Sequence, residues 1–125
     1  MSSLPPDIQD LILRYFDSAE AIELVVLLRR SSATYWTAEA VSQHLGIRPE
    51  VAKRKMEALA EARILVRAEQ TAAYRYAPAD DHLAANVSEL AEIYSDRRIS
   101  VINTIYSANL ERLRTFSNAF KLKKD

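Results

Sequence analysis

The order of apolar and polar residues divides the chain into short amphipathic helices around one extended region. After Pro5-Pro6, residues Ile8, Leu11, Ile12 and Tyr15 recur at the spacing of one helix face, with Asp7 placed to cap the start, which predicts a helix over 7–16. Asp17, followed three residues later by Glu20, has the form of a capping box. Ile22, Val25, Val26 and Leu28 continue that second helix to about Arg30. Its Leu24 to Leu28 run is apolar nearly all round, as expected of a central core helix. Ser31-Ser32-Ala33 breaks the period, and Thr34, Tyr35 and Trp36 are β-prone but too few for a helix, so a very short strand is expected there.

Thr37 can cap a third helix with Ala40, Val41 and Leu45 inward, ending at Gly46, the only glycine in the chain. A helix end that reverses sharply needs a positive φ, which penalises any side chain with a Cβ, so the position of that one glycine is informative. Arg48-Pro49-Glu50 then opens a fourth helix over 49–62, with proline where its missing donor costs nothing and Ala52, Met56 and Leu59 as the buried stripe. Helix, tight turn, helix is the layout of a helix-turn-helix. Ile64 to Glu69 and Ala73 to Ala77 read as the strands of a β-hairpin ended by Pro78. Beyond it, Leu83, Val87, Leu90, Ile93 and Tyr94 repeat at helical spacing from Asp80 or Asp81 as cap. Ile99, Ile102, Ile105, Tyr106, Leu110, Leu113, Phe116 and Phe120 carry the period onward. One long helix, or two with a break near Ser95 to Arg98, both fit. The expected fold class is mainly α with a small β-hairpin.

A length of 125 residues suits one domain with a buried core, taken here as 1–125. A single glycine and four prolines agree with a helical chain. The absence of cysteine excludes disulfides, thiol nucleophiles and thiolate metal sites, and makes a reducing compartment, the cytoplasm, the expected location. No apolar stretch approaches the roughly 20 residues that span a bilayer, and Met1 to Pro6 has neither the basic start nor the apolar run of a secretory signal. Seventeen basic residues balance seventeen acidic ones, which argues against non-specific coating of nucleic acid. The balance is zoned, however. Residues 48–67 sum to plus three and 97–125 to plus five, against minus two over 1–31 and minus five over 76–96. A neutral protein can thereby present a basic face.

Enzyme chemistry finds no support. His44 and His82 lie in different segments without metal-ligand spacing, and His44 reads as a partly buried structural residue or a partner of the helix dipole. No serine has a base arranged beside it, one glycine cannot build a phosphate loop, and Asp80-Asp81 reads as a helix cap before a cation site. Neither a cofactor nor a metal is expected.

The order helix, short strand, helix, glycine turn, helix, hairpin over 18–78 resembles the winged helix-turn-helix of bacterial transcriptional regulators, broadly of the MarR kind. The most specific stretch runs from Trp36 to Arg67, WTAEAVSQHLGIRPEVAKRKMEALAEARILVR, with a helix closing in Leu-Gly-Ile, a recognition helix and a strand beginning beyond its end. The resemblance implies sequence-specific binding of duplex DNA by the helix 49–62 in the major groove. It also implies that the flanking helices, 7–16 and 80–120, serve as dimerisation elements of a homodimer.

A major groove about 12 Å wide admits one α-helix. With Ala52, Met56 and Leu59 inward, Pro49, Glu50, Lys53, Arg54 and Glu57 turn outward. Lys53 and Arg54 could then bond guanine edges or phosphates, and Glu50 could accept from cytosine. Thr37, Gln43 and Arg48 lie where backbone-positioning contacts are expected, and Arg67 and Arg75 on the strands could reach phosphate. The simpler reading is that Lys53, Arg54 and Lys55 merely solvate an exposed helix. The chain departs from the pattern at two points. Arg63 stands where many relatives have glycine before the first hairpin strand, so that junction must be made in another way. The wing tip, Glu69-Gln70-Thr71, also carries no basic residue. Aromatic residues Tyr35, Trp36, Tyr74 and Tyr76 are expected to pack on the core. The alternative function is a winged-helix protein–protein interaction module without DNA binding, motivated by the neutral total charge and the uncharged tip. Neither an operator nor an effector ligand is legible.

Overall fold

The computed structural model describes residues 4–124, with side chains to Phe116. Phe120 lies outside the described side chains. Helix α1 (Pro6–Tyr15) begins at Pro5 and Pro6, whose fixed φ suits a helix start. Asp7 therefore sits inside the first turn and does not cap it, correcting the sequence expectation. Gln9 Nε2 instead donates to the Leu4 carbonyl at 2.6 Å. In α2 (Ala19–Arg30) the cap is Ser18, whose hydroxyl accepts from Ala21 N–H at 3.2 Å, so the expected Asp17–Glu20 box does not form. Ile22, Leu24, Val25 and Leu28 of α2 are fully buried, as a central helix requires.

The extended region is a three-stranded antiparallel sheet in the order β1-β3-β2, built from β1 (Trp36–Thr37), β2 (Leu65–Arg67) and β3 (Ala73–Tyr76). The short first strand sits later than expected, over Trp36–Thr37, because pairing of Trp36 with Tyr74 and of Thr37 with Ala73 sets its register. Tyr35 is correspondingly exposed and not in the core. Of the other aromatics, Tyr74 is buried and Trp36 and Tyr76 are half-buried against the core.

Helices α3 (Ala38–Leu45) and α4 (Pro49–Glu61) follow β1, and α5 (Asp81–Asp96) and α6 (Arg98–Lys124) follow the hairpin. The chain breaks between α5 and α6 at Arg97, which settles the open choice in favour of two helices. Asp80 caps α5 through Leu83 N–H at 2.8 Å. The protein is thus mainly helical with a small sheet. Its core is one contiguous cluster that joins Ile8, Ile12 and Phe16 from the N-terminal segment to Leu24, Val41, Met56, Leu90 and Val101. The outer helices therefore share a core with the segment 18–78. Among the described side chains of α6, Val101 and Ile105 are buried, and the rest of the expected apolar stripe as far as Phe116 faces outward. No helix among the described residues is long and apolar enough to cross a membrane.

Candidate nucleic-acid interface

The α3–α4 pair is held by its caps and its turn. Thr37 Oγ1 accepts from Ala40 N–H at 3.1 Å, which fixes the start of α3 with a lone pair of the hydroxyl and not its proton. At the other end Gly46 adopts φ +70° and its N–H donates to the Ser42 carbonyl at 2.9 Å. A Cβ at Gly46 would meet nothing within 4 Å, so glycine is required there by backbone conformation alone and not by crowding. Ser42 Oγ crosses the turn to the Ile47 carbonyl, and Arg48, in extended backbone, leads into Pro49 at the first position of α4. His44 is exposed and not partly buried, and it stands in the last turn of α3, where the alternative of a helix-dipole partner placed it. Its ring stands edge-on to Trp36 at 5.0 Å, and Nδ1 lies 3.1 Å from the Ala40 carbonyl in the last turn of α3.

Ala52, Met56 and Leu59 bury one side of α4 completely, which leaves Pro49, Glu50, Lys53, Arg54 and Glu57 in solvent. Consecutive helical residues stand about 100° apart, so the run Lys53-Arg54-Lys55 radiates in three directions. Lys55 turns back toward the core edge, its side chain only 17% exposed, with Nζ 2.8 Å from Ser18 Oγ and 3.6 Å from Asp17. The ridge farthest from the core is Glu50, Arg54, Glu57 and Glu61, at spacings of four, three and four, and all four are exposed. One cation thus stands among three carboxylates, with Lys53 on the flank. Arg48 Nε lies 3.8 Å from Glu50, both well exposed, a pair worth little in water.

The remaining candidates are dispersed. Gln43 is exposed on α3. Arg67 pairs with Tyr74 and Arg75 with Val66, so the two arginines belong to opposite faces of the sheet. Arg75 is engaged by Tyr35, with Nε 3.3 Å from the hydroxyl and the guanidinium 5.7 Å from the ring centroid. Arg48, Pro49, Glu50, Lys53 and Arg54 thus lie together at the turn and the start of α4, Thr37 and Gln43 belong to the preceding helix α3 and its cap, and Arg67 and Arg75 lie on opposite faces of the sheet. Arg63, expected to need a different junction, makes the ordinary one itself. It adopts φ +65°, with its N–H bonded to the Ala60 carbonyl and Ile64 N–H to the Leu59 carbonyl, both at 3.0 Å.

Sequence reasoning missed the inward turn of Lys55 and a cluster tying α2 to the α5–α6 junction. There Tyr94 Oη donates to Glu23 Oε2 at 2.6 Å and Arg98 donates to the same oxygen at 2.7 Å, while the Arg98 guanidinium lies 5.2 Å from the Tyr94 ring centroid. Burial, the Glu23 hydrogen bond and the Glu23 charge push the Tyr94 phenol up to about 12. Among the described residues no group of His, Cys, Asp and Glu could hold a metal ion. Comparison of the chain with protein-family models, with curated proteins and with solved structures finds no match.

Proposed function

We propose that this chain is a winged helix-turn-helix transcriptional regulator that binds duplex DNA in the cytoplasm, without catalysis or a cofactor, and reads sequence through α4. The observation that carries this is the presentation of α4. It is braced on one side by Ala52, Met56 and Leu59 and offers Pro49, Glu50, Lys53 and Arg54 to solvent beyond a glycine turn. Resemblance of 18–78 to MarR-like regulators supports the same role. In this reading Lys53 and Arg54 donate to guanine edges or phosphate, and Glu50 accepts from cytosine.

A homodimer completes the proposal, since two copies of α4 in successive major grooves need a spacing of about 34 Å. Its support is the outward row on α6 described above. The experiment is a gel-shift and salt titration with duplex DNA from upstream of the chain's own gene. Affinity should fall steeply with salt, and Lys53→Ala should flatten the log–log slope by about one unit if that side chain neutralises one phosphate. Equal affinity of the wild type and a Lys53→Ala/Arg54→Ala double variant, both folded, would overturn the proposal.

A second reading, a winged-helix module that docks on another protein, is favoured by the Glu50, Glu57 and Glu61 ridge, which repels phosphate. Failure to retain duplex DNA at low salt, together with a basic protein bound to α4 at fixed stoichiometry, would select it.

A further inference from the structure

On the flank of α4 away from Lys53, cations from three separate helices converge on a groove of about 510 Å³. Arg14 comes from α1, Arg54 and Lys55 from α4, and Arg112 from α6. Asp17 is the only carboxylate in the lining, so four cations face one anion. In a chain whose charges sum to zero this is a concentrated positive concavity. A cleft lined by one sign focuses the field it encloses.

The cations differ in how they are held. Arg112 is anchored by donating to the main-chain carbonyls of Ile12 and Leu13, neutral partners that leave its charge uncancelled. Lys55 is oriented by the Ser18 hydroxyl, with Asp17 at 3.6 Å. Arg14 pairs with Asp10 at 2.9 Å on a solvent-exposed face, an ion pair weak enough to exchange. Arg54 forms no ion pair among the described residues. The floor between them is Val51, Ala58 and Leu59, too apolar to compete for a ligand's oxygens.

We propose that this groove binds a phosphate group, with Arg54 and Lys55 as the direct donors and Arg14 and Arg112 supplying the surrounding charge. Guanidinium and ammonium groups set around a concavity suit a tetrahedral anion with several acceptor oxygens. The phosphate belongs either to the DNA backbone beside the major groove or to a free phosphorylated small molecule. The first source deepens the regulator reading and rests on it, whereas the second does not. Arg54 stands where the outward ridge of α4 meets the groove, so one side chain serves both surfaces.

The test uses the full chain, labelled with ¹⁵N and titrated with inorganic phosphate at constant ionic strength against chloride. Saturable shifts at Val51, Arg54, Lys55 and Ala58 are expected. Ala58→Glu, an exposed helical position where both residues favour helix, should weaken binding on the order of tenfold by setting a like charge against the anion. Ala58→Gln, of the same size and neutral, should retain it. In parallel, the salt slope of duplex DNA binding is measured for both variants. A slope flattened by about one unit in Ala58→Glu alone assigns the groove to the DNA backbone. Phosphate shifts with an unchanged slope assign it to a free phosphorylated ligand. Absence of saturable shifts in the wild type, with an unchanged slope in Ala58→Glu, overturns the proposal. Arg54 belongs to both surfaces, but the phosphate titration reads the groove without duplex DNA, so absence of all DNA binding with the shifts retained would sink the regulator reading and leave the phosphate site standing.

Discussion

Two residues hold the same left-handed backbone with opposite side-chain logic. Gly46, at φ +70°, has open space where a Cβ would go, and Arg63, at φ +65°, carries a full side chain through the same conformation. The left-handed region costs an L-residue about 1–2 kcal/mol, partly offset by the roughly 0.5–1 kcal/mol of extra unfolded-state entropy that glycine brings. Gly46→Ala should therefore destabilise the fold by about 1 kcal/mol, and Arg63→Gly should stabilise it by about 0.5–1 kcal/mol. Urea denaturation followed by circular dichroism reads both. Equal midpoints for Arg63→Gly and the wild type would show that the Arg63 side chain contributes as much as its backbone costs. The glycine was legible in the sequence because only one exists. Arg63 was not, because nothing in an arginine announces a positive φ and the requirement comes from the two carbonyls at the end of α4.

Elements were legible where their periodicity was long and illegible where tertiary partners chose among local options. The buried stripe Ala52, Met56, Leu59 and the Thr37 cap follow from spacing alone. The cap of α2 does not, since Asp17 and Ser18 are both good caps and the structure uses Ser18, while Asp17 faces Lys55. The basic run 53–55 misleads for the same reason, because it is contiguous in the chain and divided around the helix. The cluster of Glu23, Tyr94 and Arg98 joins residues far apart in sequence and left no signature there. It has a pH consequence. The Tyr94 phenol is raised from its ordinary value of 10.0 to about 12, first by burial and then by Glu23, so the neutral form is favoured in the fold. Its contribution to stability is complete below about pH 10 and is lost as the pH rises from there toward 12. The unfolding midpoint should fall across that window in the wild type and fall less in Tyr94→Phe. Parallel alkaline profiles for the two would remove the tyrosine from the account.

At the scale of the molecule, α6 leaves Ile99, Ile102, Tyr106, Leu110, Leu113 and Phe116 exposed, with Ile99 at 74% and Phe116 at 69%. Taking about 200 Å² for each large apolar side chain, the row amounts to on the order of 700 Å². That is close to the roughly 800 Å² each partner contributes to a standard interface. No residue from Ile99 to Leu110 is charged, although most of that stretch is exposed, a depletion of the kind found at interface cores, whereas Glu111, Arg112 and Arg114 flank the last two members of the row, Leu113 and Phe116. On the proposed reading a second copy would cover this row in the two-fold pairing most soluble oligomers adopt. Tyr106→Glu, at an exposed position, should convert a dimer into a folded monomer by sedimentation and weaken DNA binding through loss of the second half-site. A wild type that stays single at concentrations of tens of micromolar would remove the dimer from the proposal.

Arg112 fastens the last helix to the first, and it does so through carbonyl oxygens, which every amino acid possesses. Substitutions at positions 12 and 13 that keep α1 helical cannot abolish those acceptors, so the burden of recognition falls on one partner. The hydrogen-bonded part of this contact is accordingly indifferent to side-chain drift in α1, and on α6 it rests on Arg112 together with Asn109, whose Nδ2 donates to the Asp17 carbonyl at 3.0 Å.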